Sequence, residues 1–159
     1  MKWTPKHHHK LLTVAAYIMI LIVVLSVSQT AAAQDDQLVY DYVFLIDTST
    51  SMNDGDPPLF PQVINVANDF IDQLPDGANL TIITFDSTVK ELGSWHNLTP
   101  SDRSEIIQTL SNLKATGSLT AMWDAVCAGV TVMEAMNASA GTHMQLMISY
   151  TDGLDNASQ

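Results

Sequence analysis

The sequence is poor in cysteine and in basic residues. Cys127 is its one cysteine, which excludes a disulfide within the chain and a zinc site built on cysteine pairs. Six Lys and Arg residues stand against 17 Asp and Glu residues. Half of the basic residues precede residue 35 and no acidic residue does, so the rest of the chain carries 3 − 17 = −14. Such a negative surface repels phosphate groups, which argues against nucleic acid and anionic membrane surfaces as partners.

The first 33 residues have the three parts of an export signal. The basic stretch MKWTPKHHHK precedes an apolar run of 17 residues, 11–27, and then the small-residue segment SQTAAA. This pattern predicts a signal peptide that is cleaved after Ala33, or a membrane anchor through residues 11–27 if the segment is retained. In both cases the acidic part of the chain is secreted or extracytoplasmic. A polar linker, residues 34–39, is then predicted before a domain over residues 40–159.

Apolar runs of strand type alternate with helical patterns through the rest of the chain. Three runs suit strands that are buried on both faces, as in a parallel sheet: LVYDYVFLID, LTIITF and MQLMISY. STVKEL alternates and predicts a short edge strand. The whole order predicts an α/β domain with a doubly wound, mostly parallel sheet and helices on both faces. Because such a sheet needs further strands to cover its edge, we expect the domain to be incomplete at its C-terminus and to continue beyond Gln159.

Three helices are predicted between these strands. The first starts at Val63, after a proline-rich segment. Thr99 opens the second, and the proline and Asp102 that follow it form the pattern of a capping box. The third begins near Met122, and its apolar spacing predicts that Cys127 is a small buried residue.

Two of the buried strands end in aspartate, Asp47 and Asp152. Neutral oxygen donors accompany them: Ser49 and Ser51, two residues apart, and Thr120 in the loop before the third helix. Because ligands of open α/β sheets lie beyond the carboxyl ends of the strands, we expect these side chains to share one site. Carboxylates and hydroxyls without His or Cys suit a hard cation, Mg²⁺ or alternatively Mn²⁺ or Ca²⁺.

Each of these residues also has an ordinary structural interpretation. Asp47 and the two serines can cap the following helix or form an Asx turn, and Thr120 can be the N-cap of the third helix. Asp152 and the glycine after it can form a simple turn. Taken one at a time, these interpretations are favoured over metal binding. All five residues together at strand ends favour the metal site.

Three segments resemble those of von Willebrand factor type A (VWA) domains that carry a metal-ion-dependent adhesion site (MIDAS). DTSTSM, residues 47–52, is similar to the family's Asp-x-Ser-x-Ser motif. GSLTAMWDAV, residues 117–126, is similar to its threonine segment, and SYTDGLDN, residues 149–156, to its Thr-Asp-Gly segment. The resemblance covers about residues 40–159 and implies the Rossmann-like VWA fold.

The same resemblance implies how the cation is held. Ser49 and Ser51 would bind it directly, and Thr120 directly or through water, depending on the conformational state. Asp47 and Asp152 would hold it largely through water. Neutral ligands leave the cation under-neutralised, so it can accept a carboxylate from a protein partner. A rearrangement of the Thr120 loop could then couple docking to the helices behind it.

The function implied is that of an exported, metal-dependent protein-binding or adhesion module that docks a partner carboxylate on the bound cation. Two alternatives stay open: a structural VWA component of a larger surface or secretion assembly, and a non-catalytic part of a longer enzyme. We do not expect an enzyme. Ser49 stands where phosphoryl-transfer folds with Asp-x-Asp have their second acid, and the sequence has neither a Gly-rich phosphate loop with lysine nor a Gly-x-Ser-x-Gly elbow.

Four further acidic residues lie near these motifs. Asp54 and Asp56 follow the serine loop, as acids do in integrin β-subunit domains with a neighbouring calcium site. The turn Asp-Gly-Asp-Pro explains the same two residues, so a second metal site stays open. Asp124 and Asp155 are predicted to support the loops through hydrogen bonds rather than to bind metal.

Overall fold

The computed structural model describes residues 38–139, 141–153 and 155–158. In chain order its elements are β1 (Leu38–Asp47), a short 3-10 helix (Thr50–Asn53), α1 (Leu59–Asp72), β2 (Asn79–Phe85), β3 (Val89–Trp95), α2 (Pro100–Ser111), α3 (Met122–Asn137) and β4 (Thr142–Tyr150). The predicted export signal and most of the predicted linker lie outside the described residues. Because β1 begins at Leu38, the last two residues assigned to the linker belong to the strand. None of the described helices is long and apolar enough to span a membrane.

The four strands form one sheet in the order β3-β2-β1-β4. β1 lies in the middle and pairs in parallel with both β2 and β4. β3 pairs antiparallel with β2 at one edge, as the alternating pattern of STVKEL predicts. The prediction of a mostly parallel α/β sheet is therefore confirmed.

Two apolar cores lie on the two faces of this sheet. Successive side chains of a strand point to opposite faces, so Phe44 and Ile46 enter one core while Val43 and Leu45 enter the other. The helices α1 and α2 pack on the first core, and α3 packs on the second. Helices on both faces, the second part of the fold prediction, are thus confirmed, and β1 is buried from both sides as its unbroken apolar run requires.

The predicted helix starts are partly right. The capping box of α2 is present: Thr99 accepts a hydrogen bond from the Asp102 backbone and donates its own N–H to the Asp102 carboxylate at 2.8 Å. The start of α1 at Val63 is wrong, because the helix begins at Leu59. Pro61 lies in the first turn, where a backbone N–H has no partner within the helix, so the proline is tolerated there.

The helix α3 packs closely on the sheet through a narrow face. A Cβ atom on Gly129 would lie 2.6 Å from the Met147 sulfur and 3.3 Å from Leu45, so glycine is what allows this approach. Cys127 lies off that face and is exposed, so its prediction as a buried residue is wrong. The apolar spacing of α3 extends around more of the helix than the sheet covers, which is why the pattern alone misplaced this residue.

A buried polar network ties the strands together at the amino end of the sheet. Asp41 is 0% exposed, and its carboxylate lies 2.6 Å from Nδ1 of His143, whose side chain is 1% exposed. Asn79 and Gln145 donate further hydrogen bonds to the same carboxylate, at 2.8 and 3.3 Å. The network joins β1 to β2 on one side and to β4 on the other. A buried carboxylate is thereby paired and hydrogen-bonded, as its desolvation requires.

This network continues from His143 to a serine after α3. Nε2 of His143 lies 3.0 Å from Oγ of Ser139, which gives the order aspartate, histidine, serine that hydrolases use. The Ser139 hydroxyl, however, donates to the carbonyl oxygen of Met136 at 2.8 Å. Its proton is directed at the end of the helix and not at the imidazole. We therefore interpret the hydrogen bonds of Ser139 as an anchor for the end of α3, and we do not interpret Ser139 as an activated nucleophile.

Candidate metal centre

The predicted ligands come together because β1 and β4 are parallel neighbours. Ile46 of β1 pairs with Tyr150 of β4, so the two strands end at the same edge of the sheet. Asp47 is the last residue of β1, and Asp152 follows β4 by two residues. The loop that leads into α3 and carries Thr120 reaches the same edge. The carboxyl edge of the sheet is thus where all three quoted segments meet.

Asp47 is the innermost of these residues and is 0% exposed. One carboxylate oxygen accepts the backbone N–H of Ser49 at 2.8 Å, which is the Asx turn that the structural interpretation foresees. The other oxygen accepts the hydroxyl of Thr151 at 2.7 Å. The side chain is therefore fixed from both strands, while its two partners are neutral donors.

Ser49, Ser51 and Asp152 are linked by their side chains. The two serine oxygens lie 3.0 Å apart, and Ser51 donates to a carboxylate oxygen of Asp152 at 3.1 Å. Ser49 precedes the short 3-10 helix, but its side chain makes no capping hydrogen bond there. Ser49 is buried, Ser51 is half-buried and Asp152 is exposed, so the cluster runs from the sheet edge out to solvent.

Thr120 lies beside the segment that follows Asp152. The residue is 3% exposed, and a Cβ atom on Gly153 would lie 3.8 Å from its hydroxyl oxygen. The interpretation of Thr120 as an N-cap is wrong, because α3 is preceded by Ala121 and has no side-chain cap from that position. The hydroxyl of Thr120 is therefore not used to start the helix.

Backbone hydrogen bonds strap the Thr120 loop to the serine loop. The carbonyl oxygen of Thr48 accepts the N–H groups of Thr116 and Gly117 at 2.9 Å each, and Thr50 donates to the Gly117 carbonyl at 2.7 Å. A Cβ atom on Gly117 would lie 2.1 Å from that of Asp86, so only glycine fits where this loop passes the turn between β2 and β3. The strap fixes the two hydroxyl-bearing loops side by side.

No basic side chain among the described residues forms an ion pair with the Asp47 or Asp152 carboxylate at this edge. Arg103 forms an ion pair with Asp76 and His143 contacts Asp41, and neither pair lies at the site. No group of three or more His, Cys, Asp or Glu side chains within residues 38–139, 141–153 and 155–158 is placed to hold a metal. A cation here would depend on hydroxyl oxygens together with two carboxylates. That all-oxygen set fits Mg²⁺, Mn²⁺ or Ca²⁺, because hard cations take neutral and charged oxygens.

Three residues that complete this edge were missed as functional residues, although each lies within a quoted segment. Thr151 bonds Asp47, Gly117 straps the loops, and the Asn156 side chain accepts the backbone N–H of Thr120 at 2.7 Å. Neighbouring polar residues in a turn do not reveal which loop they will contact, so the sequence carried no signal for these roles. Asp155 supports its own loop through hydrogen bonds, as predicted: it accepts the backbone N–H groups of Ala157 and Ser158 at 3.1 and 2.9 Å.

Asp54 and Asp56 are both exposed, in the turn after the short 3-10 helix. The backbone N–H of Asp54 donates to the carbonyl oxygen of Ser51 at 2.7 Å, which is consistent with an ordinary turn. A second metal site at these residues stays a prediction.

Fold and site together define an α/β domain with an oxygen-rich cluster at the carboxyl edge of a parallel sheet. The family model for the von Willebrand factor type A domain matches residues 41–159, and the chain belongs to this family. VWA domains are generally interaction modules without catalysis. No curated protein is significantly similar to the chain.

Solved structures with the same fold include two pilus proteins and a protein of the mussel byssus. The minor pilin PilB of Streptococcus sanguinis is 18% identical, with a TM-score of 0.58, over 78% of this chain and 32% of that one. The VWA domain of Mfa5, a type V pilus tip protein of Porphyromonas gingivalis, is 19% identical, with a TM-score of 0.56, over 73% and 38%. Proximal thread matrix protein 1 of the mussel byssus, with a zinc-occupied MIDAS motif, is 19% identical, with a TM-score of 0.57, over 74% and 29%. The chain spans well under half of each of these three proteins.

Proposed function

We propose that this domain binds a protein partner through a divalent cation at the carboxyl edge of its sheet. The ligands would be Asp47, Ser49, Ser51, Thr120 and Asp152, the residues of a MIDAS. The partner would supply an acidic side chain that completes the coordination of the cation. Membership of the VWA family and the likeness to pilus proteins support a module for protein binding and adhesion.

One observation carries this proposal: a fully buried carboxylate begins a continuous polar chain that reaches solvent. Asp47 is joined to Ser49 through the backbone, Ser49 to Ser51 through their hydroxyls, and Ser51 to the exposed Asp152. Burying a carboxylate without a positive partner is costly, so a bound cation would offset that cost. The outer end of the chain is where a partner could reach such a cation.

The chemistry of the donors favours Mg²⁺, with Mn²⁺ or Ca²⁺ as alternatives. Ser49 and Ser51 would bind the cation directly, and Thr120 directly or through water, while Asp47 and Asp152 would act largely through water. Such a cation keeps most of its positive charge, which is what attracts a carboxylate from outside. Zinc belongs in any test, because the related mussel protein has a zinc-occupied motif.

We propose that the domain works outside the cytoplasm. The pilus proteins among its structural neighbours support an extracellular location. Residues 1–33 would direct export, and residues 11–27 would attach the chain to the membrane if they are retained. A structural role within a surface assembly is the second candidate, and the minor pilin and the pilus tip protein among the neighbours favour it. Either role needs a protein partner and no catalysis.

Thermal unfolding of the chain with each metal tests the cation site. In excess chelator we expect the lowest melting temperature, and at a metal concentration of about 100 Kd the free energy of unfolding should rise by about 2.7 kcal/mol. Asp47→Ala and Ser49→Ala should abolish the rise. Asp69→Ala, which removes an exposed acid on α1, is the matched control and should leave it unchanged. Equal melting with and without metal would refute the cation site.

Binding of a partner is tested separately, with the immobilised chain and extracts of its host surface. A true partner should be captured in Mg²⁺, released by chelator, and not captured by the Asp47→Ala variant. Mutation of one acidic residue in the captured protein should remove binding as well. A partner that binds equally in chelator would support the structural role instead.

A further inference from the structure

The helix α3 begins without a cap of its own. Its N-cap position is Ala121, which offers no side-chain acceptor, so the first backbone N–H groups need partners from elsewhere. Those partners come from the segment 155–158, more than thirty residues further along the chain. Asp155 accepts the N–H of Trp123 at 3.0 Å, and the Ser158 hydroxyl accepts the N–H of Asp124 at 3.1 Å. The cap of α3 is thus supplied by the loop that follows β4.

The same segment holds itself in shape around Asp155. Its second carboxylate oxygen accepts the backbone N–H groups of Ala157 and Ser158 at 3.1 and 2.9 Å. One carboxylate therefore joins the turn to the helix. Within this turn, Asn156 contacts the loop before α3.

Asn156 holds both backbone polar groups of Thr120. Its side-chain oxygen accepts the Thr120 N–H at 2.7 Å, and its backbone N–H donates to the Thr120 carbonyl at 3.0 Å. The next residue, Ala121, donates to the carbonyl of Asp86 at 2.7 Å, so the loop is also fixed from the other side. Thr120 is thereby placed with its hydroxyl beside Gly153.

We propose that Asn156 is a positioning residue for the metal site and acts through Thr120. This inference rests on the proposed cation site. Asn156 is not itself among the ligands; it fixes the backbone from which the Thr120 hydroxyl projects. Outer groups that orient a ligand typically change metal affinity when they are removed, even though they never touch the metal. Asp155 and Ser158 therefore bond the start of α3, while Asn156 bonds the backbone of the proposed ligand Thr120.

The test is a double-mutant cycle on the full chain, with Mn²⁺ as the probe and free Mn²⁺ measured by electron paramagnetic resonance. Asn156→Ala should weaken Mn²⁺ binding by about 10-fold or more. Thr120→Ala should weaken it too. In the Thr120→Ala background, Asn156→Ala should cause little further loss of Mn²⁺ affinity, because the hydroxyl that Asn156 positions has already been removed. Asn156→Asp keeps the acceptor oxygen and should retain most of the affinity.

Ser158→Ala is the matched control from the same turn. It removes one hydrogen bond of α3, so it should lower the melting temperature in chelator while leaving Mn²⁺ affinity unchanged. If wild-type protein fails to bind Mn²⁺, the proposed cation site itself is wrong. If wild type binds but Asn156→Ala binds equally well, or the two losses simply add, the positioning role is overturned and the cation site stands. Should Asn156→Ala not fold, a loss of affinity in Asn156→Asp would overturn the role in the same way.

Discussion

Asp41 and Asp47 lie on the same strand, six residues apart, and both are 0% exposed. Asp41, at the amino end, is paired with His143 and receives amide hydrogen bonds from two neighbouring strands. Asp47, at the carboxyl end, receives one backbone N–H and one threonine hydroxyl. One end of the strand thus has a titratable partner for its buried acid, and the other end has neutral donors alone.

The difference teaches which buried acid serves structure and which is open to a ligand. A buried carboxylate with a histidine and two amide donors is already satisfied, so a cation would add little there. A buried carboxylate with only neutral donors still carries an uncompensated charge. Hydroxyl oxygens stand next to it at the carboxyl edge, where an external cation can be shared. The two ends of β1 are therefore expected to respond differently to mutation and to metal.

The largest effect is expected from breaking the amino-end pair. His143→Ala leaves the buried Asp41 carboxylate without its closest hydrogen-bond partner, and leaving a buried polar group unsatisfied typically costs about 1–3 kcal/mol of unfolding free energy, and more for a charged group. Chemical denaturation in chelator measures this loss. The stabilisation by metal should stay the same, since the site lies at the other end of the sheet. A mutant as stable as wild type would show that Asp41 does not depend on His143.

The next effect is expected from neutralising the carboxyl-end acid. Asp47→Asn keeps the size of the side chain and an acceptor for Ser49, so in chelator the protein should melt at the wild-type temperature or slightly higher, because an uncompensated buried charge is removed. In metal at about 100 Kd it should lack the gain of about 2.7 kcal/mol that wild type shows. Differential scanning calorimetry with and without Mg²⁺ measures both. A strong loss of stability in chelator would contradict the contrast with Asp41.

The smallest effect concerns a third, more exposed acid, Asp155. The hydroxyl and N–H of Ser158, with further N–H groups of Trp123 and Ala157, lower the pKa of Asp155 to about 2 from its ordinary value of 3.8. A lowered folded-state pKa stabilises the fold above the unfolded value, and this stability is lost as the pH falls from about 4 towards 2. Asp155→Asn should make the melting temperature less dependent on pH in that range. A melting temperature that depends on pH as in wild type would show that the carboxylate contributes nothing to stability.

The sequence was sufficient to locate the strands and to bring the five proposed ligands to one edge of the sheet. The prediction that MQLMISY is buried on both faces is wrong, because β4 lies at an edge of the sheet, where Met144 and Leu146 are 55% and 44% exposed. Strands buried on both faces appear as unbroken apolar runs, and parallel strands bring their ends to one edge, so Asp47 and Asp152 could be placed together in advance. The start of α1 was wrong because a proline within a helix usually breaks it, and the sequence does not show that Pro61 lies in the first turn, where it is tolerated. The exposure of Cys127 depends on how much of α3 the sheet covers.

Individual side-chain contacts between distant parts of the chain could not be predicted. Asp41 meets a histidine 102 residues away, and Asn156 meets Thr120 across 36 residues. A polar residue in a turn could form a hydrogen bond with many polar groups of the chain. Its residue type alone therefore does not specify the contact. For the same reason the sequence indicated a site at this edge without indicating what holds its loops in place.

Thr48 has a consequence for how this loop can change in evolution or by design. Its N–H and hydroxyl both donate to the Phe85 carbonyl, at 2.7 and 3.1 Å, while its own carbonyl receives the strap from Gly117. The loop therefore alternates between a side chain for the site, an anchor to the scaffold, and a side chain for the site again. Surface loops usually tolerate insertions. Here a single inserted or deleted residue would exchange anchor and ligand, so the length of this loop is as constrained as the register of a strand.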